Sequence, residues 1–268
     1  PELTPEARKA ATYVLENPNE VGGSTGREIA EAANVKPNTF VRMARQVGFE
    51  GYDDFRAPFR DAIRGGGVSF PDRARWLQEI RKSGEIGGLY ADMVGAAVRN
   101  IEESFAGISV DQLKVAAETI WASRQVFVLG VGVMNSNARN FTYLASTGMT
   151  QFHAIPRPGS TPVDDLAGAG TQDVLIAMTM RPYRSEVVDA VRIARDQGMK
   201  IVAISDSPAS PIVLHADHGF VLSVDTPQFF PSSVSTIALL ETLLSFVISV
   251  ASDESVDRVE RFHRRRHQ

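Results

Sequence analysis

The sequence predicts an α/β protein in which an N-terminal all-helical helix-turn-helix domain precedes a doubly wound, five-stranded parallel-sheet domain. Three observations carry this. Residues 1–64 place their apolar side chains at helical spacing between capping residues and prolines. Gly65-Gly66-Gly67 is an abrupt composition break. From Val110 onward, short apolar runs alternate with helices, a rhythm that implies right-handed crossovers and a parallel sheet covered on both faces. The resulting limits are 1–64 for the helical domain, 65–88 for a linker and connecting helix, 89–251 for the α/β domain and 252–268 for a basic C-terminal tail.

Taken in order, Thr4-Pro5 is an N-cap followed by a first-turn proline, and Ala7, Ala10, Ala11, Val14 and Leu15 keep helical spacing up to Asn17-Pro18. Gly22-Gly23-Ser24 reads as a loop. Thr25 and Glu28 form a capping box at the start of a second helix carrying Ile29, Ala30 and Ala33. Asn34-Val35-Lys36 is a tight connection, and Pro37 opens a third helix that runs to about Val47. Gly48 breaks it, and a fourth spans Tyr52 to Ile63. Pro71 to Ser83 is helix-compatible, Gly84 to Gly88 loose, and Leu89 to Phe105 helical again. In the α/β part the helices are Gln112–Ala122, Ala138–Thr147, Glu186–Gln197 and Ser233–Val250. The strands are Gln125–Gly130, Met149–Ala154, Asp173–Met178, Lys200–Ser205 and Gly219–Val224.

Composition limits the functional classes. With 43% hydrophobic and 22% charged residues the chain can build an ordinary core. A net charge of −4 excludes a generally basic nucleic-acid coat, so any DNA contact must be local. No cysteine is present, which excludes disulfides and thiolate metal sites. The N-terminus lacks a basic-then-apolar signal pattern. The longest apolar stretch, Ile237 to Val250, is interrupted by Glu241, Thr242, Ser245 and Ser249 and is too short to span a bilayer. The expectation is a soluble cytoplasmic protein with no membrane partner.

The second and third helices, joined by a short turn with small Ala30 at their crossing, have the helix-turn-helix pattern. The start of the third helix then faces the major groove and offers Lys36, Asn38, Thr39 and Arg42, with Arg45 one turn on. Arginine and lysine suit guanine or phosphate, asparagine suits adenine, and threonine meets either. Basic residues are concentrated there: Lys36, Arg42 and Arg45 occur between Ala32 and Phe49 with no acid. A plain helical subdomain with a solvated basic face is the competing reading. Leu3-Thr-Pro-Glu-Ala-Arg-Lys9, Glu28-Ile-Ala-Glu-Ala-Ala-Asn-Val35, Thr39-Phe-Val-Arg42 and Val47-Gly-Phe-Glu-Gly-Tyr-Asp-Asp-Phe55 favour DNA reading, because they resemble the N-terminal domain of RpiR/MurR transcription regulators. The chain departs from the family at Lys36, where a serine usually caps the recognition helix.

In an open parallel sheet, ligands bind beyond the carboxyl ends of strands where the strand order reverses, which points to the loops after the first and third strands. The first is Gly130-Val-Gly132-Val-Met-Asn135-Ser136-Asn137. It lacks the third glycine of a dinucleotide fingerprint, so it reads as an anion cradle of backbone N–H groups with Asn135 or Ser136, or as a tight turn only. The second loop is Thr179-Met-Arg181-Pro-Tyr183-Arg184-Ser185. These segments, with Ser205 to Pro211, Ala216-Asp217 and Ser232-Ser233, resemble the sugar isomerase (SIS) domain from about Leu89 to Val250. In regulators of this family that domain binds a sugar phosphate and shifts DNA affinity.

The departures from that family indicate a changed ligand. Val133 and Met134 stand where two serines usually follow the glycines. The usual Ser-x-Ser-Gly-x-Thr keeps only Thr179, with Arg181, Pro182 and Arg184 at the other places. A neutral hydroxyl cradle has been exchanged for two guanidinium groups, which take carboxylate or phosphate through paired, charge-assisted hydrogen bonds. Tyr183 adds a flat apolar face. Pairing of Arg181 and Arg184 with Asp164, Asp165 or Glu186 would instead leave the site vestigial.

His215 and His218 beside Asp217 read as the approach to an edge strand rather than a metal site. Glu241, alone in an apolar helix, reads as a buried interface or hydrogen-bonded acid rather than a general base. Neither a catalytic residue nor a metal or cofactor is expected. Surplus apolar positions on Leu89–Phe105 and Ser233–Val250 imply a homodimer or a tetramer. The sequence thus predicts a regulator that binds double-stranded operator DNA and a small anionic metabolite, either a sugar phosphate or a related carboxylate. A phosphosugar isomerase-like enzyme with an accessory helical domain, and a dimeric DNA-binding protein with a dead pocket, are the rivals.

Overall fold

The computed structural model describes residues 4–64, 70–84 and 86–266. It divides into two compact units, Pro1–Val98 with Asp225–Ser232, and Arg99–Val224 with Ser233–Gln268. The Gly65–Gly67 break lies outside the described residues.

The first unit begins with α1 (Pro5–Glu16), whose N-cap Thr4 accepts a hydrogen bond from the Ala7 N–H at 3.3 Å. Next come α2 (Pro18–Gly23), α3 (Gly26–Ala32) and α4 (Pro37–Gln46). Glu28 accepts the Thr25 N–H at 2.9 Å while Thr25 Oγ1 accepts the Glu28 N–H at 3.3 Å, closing the expected capping box. Asn34 turns the chain between α3 and α4 with φ of 51°, a left-handed conformation that asparagine tolerates. Ala7, Ala10, Val14, Val21, Ile29, Ala30, Phe40, Met43 and Ala44 make one core with Tyr52 and Phe55 of α5 (Tyr52–Arg64). Gly22 and Gly23 are helical rather than a loop, because Val21 beside them is fully buried in this core and fixes the turn. Helix α6 (Phe70–Ser83) contributes Trp76 and Ile80, and α7 (Ile86–Ala106) follows. Gly87 and Gly88, expected to be loose, form the first turn of α7.

The second unit takes α8 (Val110–Trp121), β1 (Val126–Gly130), α9 (Val133–Ser146), β2 (Phe152–Ile155), α10 (Pro162–Asp165), β3 (Val174–Met178), α11 (Ser185–Asp196), β4 (Lys200–Ser205), β5 (His218–Val221), α12 (Val234–Ser249) and α13 (Asp253–Arg266) in that order. All strand pairs are parallel, in the order β2-β1-β3-β4-β5. Alternation along the strands sends Val126, Val128, Val174, Ile176, Val202 and Ile204 to one face, where α8, α9 and α12 pack. Leu129, Leu175, Ala177, Ile201 and Ala203 face the other, under α11. The sheet is therefore doubly wound.

Several boundaries differ from the sequence expectation, among them the start of β2, at Phe152 rather than Met149. Helix α9 starts at Val133, not near Ala138, so most of the first loop is helix. Strand β5 ends at Val221, three residues early. The basic tail is a fourteen-residue helix, α13, docked through part of its length. Ser255 is buried, and Phe262 packs edge-on against Tyr143 of α9 with ring centroids 6.4 Å apart.

Candidate functional site

In α4 the open face carries Lys36, Asn38, Arg42 and Arg45, all exposed. Thr39 is different: at 7% exposed it belongs to the packed face with Phe40 and Met43, so its hydroxyl does not share the surface of the other four. Lys36 occupies the N-cap without a side-chain cap bond, which leaves its ammonium to solvent or to a partner. Arg45 Nε donates to the Glu50 carbonyl at 3.1 Å and is tethered to the turn after the helix.

In the sheet unit, β1 and β3 are neighbours, with Gly130 paired to Met178 and Met178 to Ile204. The loops after β1, β3 and β4 therefore leave from adjacent strand ends, at the place where the strand order reverses. Gly130 allows a close crossing: a Cβ there would stand 2.1 Å from the Met134 carbonyl oxygen. Gly132, with φ of 62°, turns the chain into α9. Asn135 and Ser136 sit in the first turn of that helix. The Asn135 amide donates to the Gly130 carbonyl at 3.0 Å and accepts from Arg139 Nε at 2.8 Å, so it holds the turn. Ser136 is exposed.

After β3 the loop is braced from below. Thr179 is buried, and its Oγ1 accepts the Arg184 N–H at 3.1 Å; its carbonyl accepts Ser205 Oγ at 2.6 Å. The hydroxyl that survives from the family pattern thus closes the loop. Arg181 Nε donates to Asp206 Oδ2 at 2.6 Å, and Arg184 donates to Glu186 Oε1 at 3.2 Å. Both arginine side chains remain more than half exposed, whereas the Asp206 side chain is 4% exposed. Tyr183 is half-buried and Ser185 exposed, its hydroxyl 3.3 Å from Glu186 Oε2. The Glu186 carboxyl is held below the usual glutamate range, first by its own backbone N–H at the start of α11 and then by Arg184 and Ser185. Asp206 was not visible as a partner from the sequence, since it lies twenty-five residues from Arg181 and only the β3–β4 pairing brings it near. Asp165 is engaged elsewhere, accepting Arg157 and Ser160, and Asp164 accepts Thr161.

Ser232 is buried and Ser233 half-buried at the N-cap of α12, with no side-chain cap bond. His215 and His218 turn to different neighbours, Arg195 at 2.6 Å and Thr119 at 3.0 Å. Among the described residues no cluster of histidine, aspartate or glutamate is arranged to hold a metal. Glu241 is exposed on the outer side of α12 in the single chain. Among the described residues, no helix is long and apolar enough to cross a membrane. Chemically the β3 loop offers two guanidinium forks for an anion, each already facing a carboxylate.

Two family models match the chain. Residues 1–64 match the helix-turn-helix domain of the rpiR family, and residues 119–247 match the SIS domain. An HTH-type transcriptional regulator of Haemophilus influenzae is 25% identical over 264 residues, covering 95% of this chain and 88% of the relative. The sugar isomerase domain of an RpiR transcription factor from Sphaerobacter thermophilus superposes with a TM-score of 0.61 at 22% identity, over 66% of this chain and 98% of that one. The NanR protein of Vibrio vulnificus, solved in complex with ManNAc-6P, superposes with a TM-score of 0.57 at 19% identity, over 97% of this chain and 92% of that one.

Proposed function

The chain belongs to the RpiR family of helix-turn-helix transcription regulators with a SIS domain, and on that premise we propose that it is a sensor whose SIS domain binds a small anionic metabolite. The observation that carries this reading is the pair of exposed arginines, Arg181 and Arg184, on the loop at the reversal point of the sheet. Guanidinium forks there favour a phosphate or carboxylate over a neutral sugar. The named complex of NanR with ManNAc-6P supports a sugar phosphate, and the loss of the hydroxyl cradle supports a carboxylate.

DNA reading is assigned to the open face of α4, through Lys36, Asn38, Arg42 and Arg45. The metabolite acts by binding two states of the regulator unequally, which biases its DNA affinity. If Arg42 reads a base edge, Arg42→Ala costs about 1–3 kcal/mol on the preferred duplex and relaxes specificity at one position. Uniform weakening on every sequence in a binding-site selection would make it a phosphate contact.

The test of ligand class is a thermal-shift screen of sugar phosphates against non-phosphorylated carboxylates, with Arg184→Ala in parallel. A ligand at about 100 times its dissociation constant adds roughly 2.7 kcal/mol to stability. The expected result is a shift that Arg184→Ala removes, while the melting of the unliganded protein falls by no more than about 2–4 °C. The ion pairs of Arg181 with Asp206 and Arg184 with Glu186 favour one alternative, a DNA-binding regulator with a silent pocket. No shift with any anion, and DNA binding intact, would decide for it.

A further inference from the structure

Helix α13 carries an arginine cluster that neither the α4 reading face nor the β3 loop uses. It docks through buried Ser255 and half-buried Phe262, the latter against Tyr143, while Val259 is 38% exposed and stands 3.0 Å from where a Gly148 Cβ would lie. Arginines 258, 261, 264, 265 and 266 crowd its last three turns, in a chain whose net charge is −4. Arg258 has a carboxylate partner, Glu254 at 2.9 Å. Arg261, Arg264, Arg265 and Arg266 are exposed, and among the described residues none of them meets a carboxylate within the 4.0 Å of an ion pair. Asp257 and Glu260 stand one turn before Arg261 and Arg264, a spacing that favours pairing, yet both pairs are open. Arg266 lies over the Phe262 ring at 5.8 Å.

A helix C-terminus is stabilised by positive charge within its last turn, and one or two cations achieve that. Four guanidinium groups within six residues exceed this need and repel one another. Such a surface is stabilised by a polyanion, and guanidinium donors match phosphate oxygens. The polyanion that a DNA-binding regulator meets is the duplex. We propose that the C-terminal half of α13 is a second, sequence-independent contact to the DNA backbone, through Arg261, Arg264, Arg265 and Arg266, separate from the base-reading face of α4.

The test is fluorescence anisotropy of the full chain on a labelled mixed-sequence duplex across a salt series. Each phosphate contact contributes about 0.9 to the slope of log K against log salt. Replacing the four arginines by glutamine is expected to lower that slope by roughly 2 to 4, and replacing them by lysine to leave it near the wild-type value. An unchanged slope in the glutamine variant, with its circular dichroism and melting like wild type, overturns the proposal. Hydrogen exchange of the unmodified protein decides it even if the glutamine variant does not fold. Residues 261–266 are expected to gain protection when the same duplex is added, and no gain overturns the proposal.

Discussion

Glu186 shows how much of the proposed ligand site one side chain can occupy. Its carboxylate takes its own backbone N–H at the first turn of α11, lies 3.3 Å from the Ser185 hydroxyl and pairs with Arg184. Those are the groups an incoming anion would want, so Glu186 is an internal competitor for Arg184. Both partners are about half exposed, so the pair is screened and contributes about 0.2–1 kcal/mol. Glu186→Gln should therefore tighten anion binding about twofold to fivefold. Titration calorimetry with a hit from the screen checks it, and weaker binding would mean that Glu186 orients Arg184 instead of competing for it. At this scale the sequence was half legible. Arg184 and Glu186 are two residues apart and their pairing could be anticipated, whereas Asp206 becomes a partner of Arg181 only through the sheet. Thr39 illustrates a different limit. Composition places it among DNA-reading residues, but the helix phase set by Phe40 and Met43 turns it inward.

Among the elements, the legible ones were those whose own residues dictate them. The Thr25–Glu28 capping box, Pro37 at the start of α4, the all-apolar β3 and the apolar run Ile201–Ile204 of β4 need no distant partner to be read. The elements misread were those stabilised from outside. Two glycines are poor helix formers, yet Gly22 and Gly23 are helical because Val21 is sealed in a core built by other helices. The charged α13 is held by contacts to α9 and Gly148. Strand placement has a comparable outside anchor at the edge of β3. Arg124, just before β1, makes a two-point bond to Asp173, just before β3, at 2.9 and 2.6 Å, and Asp173 also accepts the Gly170 N–H. The Asp173 side chain is fully buried, and its carboxyl is held below the usual aspartate range, foremost by the Arg124 hydrogen bonds. A depressed folded pKa gives stability that is fully present above the ordinary aspartate pKa of about 3.9 and is lost as pH falls through the folded value. Asp173→Asn should cost about 2 kcal/mol at neutral pH and flatten the loss of melting temperature on acidification. Asp165 and Asp217, also depressed, leave part of that loss in place. Melting curves for both proteins from neutral to acid pH that run parallel would remove Asp173 as a source of the acid sensitivity.

At the scale of the whole molecule, the question is how one recognition helix per chain reads an operator. If the regulator reads two half-sites as a two-fold dimer, as we propose, it needs a self-complementary face. Helix α7 offers one in the first unit. Ile86, Tyr90, Val94 and Val98 recur every four residues on one side, and they are 56%, 75%, 49% and 50% exposed. Four large apolar side chains aligned at helical spacing and open to water form the kind of patch that a second copy covers. The stripe is a ridge of residues four apart, and two such ridges interleaved cross at about −50°. Tyr90 is the most exposed of the four, and a lysine there would place a desolvated charge in a dimer contact made by this stripe. The expected outcome for Tyr90→Lys with Val94→Lys is a shift from dimer to monomer by light scattering, with helix content unchanged by circular dichroism. Because one monomer engages one half-site, the variant should also lose the steep preference for a duplex carrying both half-sites while still binding nonspecific DNA. A variant that keeps the wild-type mass would place the dimer contact elsewhere, and the exposed apolar residues Val234 and Ile237 of α12 would be the next face to change.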